Sequence, residues 1–317
     1  MLNEACMYRP DGSRLIALGL LVLAPVAVFA AMVAVDRTFG APGRGMGYVV
    51  RLKLPPASGE IGLPQVRGPL DASRPLVVID AGHGGHDPGA GSGPVREKAL
   101  TLALALALRD ELLRRGGVRV ALTREDDRFL VLSERAGIAR RLNADLFLSL
   151  HADSAPADTA SGATLYTLSE RGSNDSAARL AEAENRADTV NGVPLERQSG
   201  AVNAILVDLS QRDTAARSTA FAELVLREGA GRVPFRARPI QSAAFVVLKS
   251  ADLPSVLVES GYISNPADAA RMSSAEGRQA LAESLARAIR VYFARQAAPD
   301  PAVAETPAAT ASEPAAP

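Results

Sequence analysis

VVIDAGHGGHDPGA, the stretch from Val77 to Ala90, decides the fold. It opens with Val77 to Ile79, an apolar and β-branched run that predicts a buried strand. The glycines that follow allow a sharp turn, and the turn carries His83 and His86. Open α/β sheets build their sites outside the carboxyl ends of their strands. The stretch therefore predicts an α/β fold with a histidine-containing site at one edge of the sheet.

Strand-like and helix-like segments alternate through the rest of the central region. Helix patterns begin at about Arg96 and near Ser133, which is a candidate N-cap, and a last helix pattern closes the region. This alternation predicts a single α/β domain with a largely parallel sheet between helices. A helical insert at about residues 173–227 interrupts it. The further strand-like runs are VRVALT, DLFLSLHAD, ATLYTL, AAFVVLK and PSVLVESG.

The two ends of the chain differ from this central region. Leu15 to Val35 is uncharged, long enough to cross a bilayer, and preceded by Arg9 and Arg14. We interpret residues 1–36 as a signal peptide or a membrane anchor, so that the rest of the chain is exported. The predicted boundaries are a linker at 37–74, a globular domain at 75–297 and a disordered Ala/Pro-rich tail at 298–317.

Composition narrows the classes of partner. The 317-residue chain is 47% hydrophobic, which supports a sizeable core, and its formal net charge is zero. A balanced charge gives no whole-chain argument for a nucleic-acid partner, and none is expected. The single cysteine, Cys6, allows no intramolecular disulfide and leaves the compartment open.

The three histidines suggest a metal site. His83 and His151 both follow predicted strands, and Glu97 lies at the start of the first predicted helix. Zinc accepts histidine nitrogen and carboxylate oxygen, and a catalytic zinc uses three protein ligands with one open position. These three residues can supply that set, although a histidine at a strand end is also a common structural group.

Glu259 ends the apolar strand PSVLVE, where a carboxylate is out of place unless it is paired or functional. Beside a zinc-bound water it would act as a general base and then as an acid. The alternative is a salt bridge to an arginine or lysine. Asp80 and Asp87 flank His83, and either can accept the second ring proton of a ligating histidine; we favour Asp80, because Asp87 precedes a proline and suits a turn.

These motifs resemble a known family. DAGHGGHDPGA with REKALTLALALAL, LFLSLHAD and VLVESGYISNP, in this order between about Leu76 and Arg295, are similar to the zinc-dependent N-acetylmuramoyl-L-alanine amidases, in particular the bacterial cell-division enzymes. The resemblance implies one α/β domain with a mostly parallel sheet of about six strands. It also implies that His83, Glu97 and His151 bind Zn²⁺ and that Glu259 is catalytic.

The resemblance further implies an activity. The family hydrolyses the amide bond between N-acetylmuramic acid and L-alanine, which frees stem peptides from peptidoglycan, and the cell-division members separate daughter cells. We expect a periplasmic or envelope location, with the inner membrane as a partner if the N-terminal segment is retained. Two alternatives stay open: a non-catalytic peptidoglycan-binding module of the same fold, and a zinc hydrolase of another amide or ester.

The insert contains a predicted helix, NDSAARLAEAENRAD. Ala177, Leu180, Ala181 and Glu184 share one face at the spacing i, i+3, i+4 and i+7, whereas Glu182 lies on the charged side. In the family that the chain resembles, a regulatory helix covers the cleft. We therefore predict that Glu184 occupies the open position of the metal at rest and that a LytM-type activator protein displaces the helix. The alternative is an ordinary surface helix.

Overall fold

The structure is a computed structural model that describes residues 23–24, 27–31, 62–92, 95–154, 160–190, 193–194, 204–250 and 252–297. Most of the predicted signal or anchor segment and the whole predicted tail lie outside the described residues. Residues 27–31 are helical. Within the described ranges, no helix combines the length and the apolar character that crossing a membrane requires.

A six-stranded sheet forms the centre of the domain. The described strands are β1 (Leu76–Ala81), β2 (Gly91–Ser92), β3 (Val95–Arg96), β4 (Arg119–Leu122), β5 (Leu146–His151), β6 (Ala163–Leu168), β7 (Thr189–Val190), β8 (Val193–Pro194), β9 (Phe235–Ala243) and β10 (Ser255–Glu259). The order of the strands in the sheet is β4-β1-β5-β10-β6-β9. The first four strands in that order are parallel, and β6 and β9 run in the opposite direction. The predicted α/β fold with a mostly parallel sheet is therefore confirmed.

Helices cover both faces of the sheet, because strands such as LVVIDA are buried along their whole length and need apolar cover on each side. The helices of the domain are α1 (Glu97–Arg115), α2 (Leu132–Arg141), α3 (Asp175–Asn185), α4 (Ala204–Gly229), α5 (Pro266–Ser273) and α6 (Ala275–Ala297). One face of the sheet packs against α1, α4 and α6, and the other face packs against α2 and α3.

Two local predictions are wrong. AAFVVLK is not a strand: the sheet strand is the preceding segment β9, and Val246–Leu248 forms a 3₁₀ turn. As the edge strand of the described sheet, β9 has exposed positions and lacks the apolar signal of a central strand. Ser133 is not an N-cap, since it lies inside α2, which begins after Val131 without a side-chain cap.

The predicted insert is not one uniform segment. Helix α3 is a separate element, whereas the second half of α4 packs Phe221 and Val225 into the core beside α6. The last residues of the predicted linker also lie on the domain, because Arg67 exchanges two backbone hydrogen bonds with Val120 of β4, each of 2.8–2.9 Å. The compact unit accordingly begins at Gly62.

A buried ion pair fastens α2 to the sheet. Arg135 donates to the Asp80 carboxylate at 3.0 Å, and Thr123 and Ser149 donate to the same carboxylate at 2.6 and 2.8 Å. Burial alone would raise the pKa of Asp80, but Arg135 and these hydroxyls hold it below its usual value. The stabilisation from this ionised carboxylate is present above pH ~4 and is lost as the pH falls through the depressed pKa.

Replacing Arg135 with methionine is expected to lower the free energy of unfolding by about 3–5 kcal/mol, because it leaves the Asp80 charge buried without its partner. Urea denaturation followed by circular dichroism measures this change. Arg140→Met is the matched control: Arg140 lies exposed on the same helix, and its loss should stay within about 0.5 kcal/mol. Equal effects of the two substitutions would contradict the assigned role of the pair.

Candidate metal centre and active site

The candidate site lies at the carboxyl edge of the sheet. There Gly82, His151, Glu259 and Thr164 lie side by side, on or directly after neighbouring strands, and form one row. Glu259 is paired with His151 on one side and with Thr164 on the other, and the Gly82 backbone N–H donates to the Leu150 carbonyl at 3.0 Å. A Cβ on Gly82 would lie 2.6 Å from the His151 ring. Glycine at this position therefore leaves room for the imidazole, and the two side chains of His151 and Glu259 stand beside each other on the face covered by α2 and α3.

His83 belongs to the glycine turn that follows β1. Its φ of 60° is unusual for a residue with a side chain, and such conformations concentrate at functional sites. Its Nδ1 is 2.7 Å from Asp87 Oδ2, which orients the ring so that Nε2 faces the site. Asp87 Oδ1 also accepts from the Gly89 N–H at 3.1 Å. Asp87 thus both forms the turn and holds the histidine.

Glu97 begins α1, and its carboxylate is fixed by backbone groups. The Ala90 N–H donates to Oε2 and the Ala152 N–H donates to Oε1, each at 2.8 Å. The same two oxygens lie 3.0 Å from His83 Nε2 and 3.1 Å from His151 Nδ1. Gly89 permits this approach, because a Cβ there would lie 2.6 Å from the Glu97 carboxylate.

Glu184 reaches the same point from α3. Its Oε2 lies 3.4 Å from His83 Nε2 and 3.2 Å from His151 Nδ1. One ligand atom from each of His83, Glu97, His151 and Glu184 fits within 4.8 Å of the others. His83 Nε2 and Glu184 Oε2 are buried and find no hydrogen-bond partner within the described residues. Ligand atoms that lie this close together without forming hydrogen bonds to one another are arranged as a shared cation requires. This set of four side chains therefore fits a metal ion.

Electrostatics supports a cationic occupant. Burial alone would lower the pKa of His83, but Glu97, Asp87 and Glu184 raise it to about 10. The pKa of His151 is likewise raised against burial by Glu184 and Glu97. Burial would raise the pKa of Glu97, yet the two histidines hold it well below its usual value. The pocket therefore concentrates negative charge, which protons on the imidazoles balance when no metal ion does.

Glu259 is fully buried next to this cluster. Its Oε2 accepts from the Asp153 N–H at 2.9 Å, whereas Oε1 has no hydrogen-bond partner among the described groups. Burial raises its pKa well above the usual value, and the Asp153 carboxylate adds to the effect. Burial also raises the pKa of Asp153 to about 7. No described arginine or lysine pairs with Glu259, in contrast to the salt bridge considered as its alternative.

The remaining candidates fall in different places. The Asp80 carboxylate contacts Thr123, Arg135 and Ser149 rather than a histidine ring, so the choice of Asp80 over Asp87 was wrong. In the sheet Asp80 pairs with Ser149, which precedes His151 by two residues on β5, so its carboxylate lies farther from the sheet edge than the site does. His86 is exposed and packs on Phe129, with ring centroids 4.1 Å apart.

Arg124 supports the glycine turn and the start of α1, and its burial is not predicted in the sequence analysis. It donates to the carbonyls of Ala81 and Gly82 at 2.9 Å each, and to the Lys98 carbonyl at 2.7 Å. These bonds join the glycine turn to the start of α1. The signal that could have located it is its place two residues after β4, at the same edge as the site.

Comparisons with known proteins point to one family. A family model described as N-acetylmuramoyl-L-alanine amidase matches residues 77–291. The chain is 40% identical over 220 residues to N-acetylmuramoyl-L-alanine amidase AmiA of Escherichia coli K12, covering 69% of this chain and 76% of that protein. It is 36% identical over 232 residues to AmiC of Neisseria meningitidis, covering 73% of this chain and 55% of that protein.

Solved structures give the same result. The catalytic domain of the amidase CwlV from Paenibacillus polymyxa is 26% identical, with a TM-score of 0.50, covering 69% of this chain and 98% of that one. The amidase AmiC2 of Nostoc punctiforme is 29% identical, with a TM-score of 0.50, covering 70% of this chain and 98% of that one.

Metal binding at neutral pH is expected to release protons. The raised pKa values keep both imidazoles protonated in the metal-free protein at pH 7, whereas a metal ion binds neutral imidazole. About two protons should leave for each ion bound, and affinity should rise with pH until it approaches the pKa of about 10 of His83. Calorimetric titration with Zn²⁺ in two buffers of different ionisation enthalpy counts these protons.

Substitution tests which histidines bind the metal ion. His151→Ala should lose most of the bound metal, because it leaves a single imidazole, that of His83, beside the carboxylates of Glu97 and Glu184. His86→Ala is the control and should keep both the metal and the proton release, since its ring lies outside the cluster. Stoichiometric metal in a folded His151→Ala protein, measured by elemental analysis, contradicts the assignment.

Proposed function

The chain belongs to the N-acetylmuramoyl-L-alanine amidase family, and we propose that it hydrolyses the amide bond between N-acetylmuramic acid and L-alanine in peptidoglycan. One observation supports the mechanism: Glu259 is fully buried beside the cluster of His83, Glu97 and His151, and one of its carboxylate oxygens has no hydrogen-bond partner among the described residues. An amide is slow to hydrolyse, and this arrangement offers both a metal position and a base.

We assign His83, Glu97 and His151 as ligands of zinc. Two imidazoles and one carboxylate match a catalytic zinc site, which leaves a fourth position for water or substrate. Bound there, the ion would polarise the substrate carbonyl and make water more acidic. Asp87 holds His83 in the tautomer that presents Nε2, and the N–H groups of Ala90 and Ala152 orient Glu97.

Glu259 handles the proton. The Asp153 N–H fixes Oε2, which leaves Oε1 as the atom free to accept a proton from the attacking water. The raised pKa of this carboxyl favours that step and the later return of the proton to the departing amine of L-alanine. Burial also excludes bulk water from the carboxylate, so the proton passes between it and the reacting atoms.

Glu259→Gln is expected to keep the metal and to lower kcat by about 10²–10⁴-fold, because the amide has nearly the same shape but accepts no proton. The measurement is release of intact stem peptides from purified sacculi, with zinc content checked in parallel. Glu276→Gln, an exposed position on α6, is the control and should match the parent. If the Glu259 variant cleaves at the parental rate, Glu259 is structural. If the parent binds sacculi without releasing peptides, the chain is a binding module.

We further propose that α3 holds the enzyme inactive. Glu184 lies at the position that water or substrate needs, 3.2–3.4 Å from both ring nitrogens. Glu182 instead lies on the exposed side and pairs with Arg186 at 3.3 Å. A plug worth about 3 kcal/mol leaves under about 1% of the molecules open. That population is small enough to keep basal activity slight.

Contacts at both ends hold α3 in place. At its start, Asn174 caps the helix and donates to Gln241 at 2.8 Å. At its end, the Asn185 amide donates to the Ala244 carbonyl at 2.9 Å and accepts from the Val246 N–H at 2.8 Å. A protein that displaces the helix has to break these bonds. We propose a LytM-type activator in the periplasm in this role, during separation of daughter cells.

Glu184→Ala is expected to raise activator-free cleavage of sacculi by about 10- to 100-fold, because it opens the position that the carboxylate fills. Glu182→Ala is the control on the same helix and should leave the rate unchanged. Asn185→Ala tests the anchoring without touching the metal and should raise the rate by a smaller factor. Removal of residues 173–192 is less suitable, since Ala177 and Leu180 are buried in the core.

Autoinhibition by α3 is refuted if the Glu184 and Asn185 variants both stay folded and zinc-loaded but cleave no faster than the parent. Circular dichroism and elemental analysis establish the two conditions. A rise with Glu182→Ala as large as with Glu184→Ala would assign the effect to helix stability rather than to the plug.

A further inference from the structure

The sheet edge beyond Glu259 has an irregular strand next to the site. Glu259 faces Thr164 of β6, and β6 pairs with the edge strand β9. The register shifts there: Ala163 pairs with Phe235, whereas Leu165 pairs with Ile240. Four residues of β9, from Arg236 to Pro239, therefore lie opposite Thr164 alone. Bulges of this kind commonly lie next to active sites, where they re-aim side chains.

Arg236 lies on this bulge and is held by an aromatic side chain. Its Nη1 donates to the Tyr262 hydroxyl at 2.7 Å, and its guanidinium lies 5.3 Å from the centre of the Tyr262 ring. The side chain is half-buried, and no carboxylate in the described part of the chain forms an ion pair with it. Arg238, exposed on the same bulge, adds a second cation. A half-buried guanidinium with free donors is suited to bind a carboxylate from outside the protein.

Tyr262 links this arginine to the catalytic row. It follows Glu259 by three residues and is itself 3% exposed. Its backbone is fixed by the Asp268 carboxylate, which accepts from the Tyr262 N–H at 3.0 Å. Because the Tyr262 hydroxyl accepts from Arg236, the ring acts as a rigid support that sets where the guanidinium stands relative to Glu259.

We propose that Arg236 is a specificity-determining residue that binds the free α-carboxylate of the second residue in the stem peptide. This inference rests on the proposed function. In peptidoglycan that second residue is D-glutamate, joined through its γ-carboxyl, so its α-carboxylate stays ionised. Tyr262 is a positioning residue for Arg236. The departing peptide then crosses the row from Glu259 toward β9, and the glycan lies on the side of Gly82 and His83.

The dimensions agree with this direction. Neighbouring strands lie about 4.8 Å apart, so β9 is about 10 Å from β10, which carries Glu259. An extended peptide advances about 3.3 Å per residue, so a group on the second residue lies about 7 Å beyond the cleaved bond. The remaining few ångströms are within the reach of an arginine side chain that points back over Tyr262.

Two small ligands separate this role from a structural one. N-acetylmuramoyl-L-alanyl-D-glutamate carries the carboxylate, and N-acetylmuramoyl-L-alanyl-D-isoglutamine carries a neutral amide in its place. The zinc-loaded full chain and its Glu184→Ala form are assayed with both, and kcat and KM are measured separately. We expect the unaltered Arg236 to favour the carboxylate ligand in kcat/KM by about 10- to 100-fold, as charge-assisted hydrogen bonds do.

Arg236→Ala should remove that preference, mainly through KM of the carboxylate ligand, and change the amide ligand by no more than about twofold. Arg236→Lys should restore part of the preference, because it keeps the charge but loses the planar pair of donors. Tyr262→Phe should lower the preference while the ring stays in place. Arg140→Ala, at the far end of α2, is the control and should change neither ligand.

Three results would overturn the proposal. If the parent cleaves both ligands equally well, the subsite is absent while the amidase function stands. If Arg236→Ala lowers both ligands by the same factor, the arginine is structural. If neither the parent nor its Glu184→Ala form cleaves either ligand or sacculi, the proposed function fails and the subsite fails with it.

Discussion

Five ionisable side chains are buried in one pocket, and the surrounding domain offsets the free-energy cost of burying them. They are His83, Glu97, His151, Glu184 and Glu259. Isolated charges are costly inside a protein unless they are paired or bind metal. Here backbone N–H groups face the carboxylates of Glu97 and Glu259, and Asp87 faces His83. These backbone donors are Ala90, at the end of the glycine turn, and Ala152 and Asp153, which directly follow β5. The fold therefore places the charges and also supplies the groups that stabilise them.

A second buried layer holds the glycine turn in its unusual conformation. Arg124 and Arg135 are fully buried, and between them they donate to the carbonyls of Ala81, Gly82 and His83. Burial, together with the charge of Arg135, lowers the pKa of Arg124 to about 10, so it stays protonated at neutral pH. On the β4 side, strand pairing of β1 ends at Ile79, and the two guanidinium groups bind the carbonyls beyond that point. They thereby fix where His83 stands.

The sequence predicted the elements whose signal is local. Buried strands such as LVVIDA and the glycine stop of α1 are determined by composition, and the order of the motifs brought His83, Glu97, His151 and Glu259 to one edge. The errors involve non-local partners. Edge strand β9 reads as a polar loop because only one side of it is paired, and the choice between Asp80 and Asp87 depended on the turn that orients His83. Nothing in the pattern around Arg236 indicated a bulge.

The apolar side of α3 has a consequence for how long activation lasts. Ala177, Leu180 and Ala181 belong to the same buried apolar cluster as Tyr166 and Phe245, so lifting the helix would expose apolar surface both on the helix and on the rest of the cluster. This exposed apolar surface favours rebinding of α3 to the domain as soon as the activator no longer covers it. In the proposed mechanism the activator must stay bound while cleavage proceeds. Hydrolysis of the wall would then stop where the activator dissociates, because the enzyme would return to its inhibited state there.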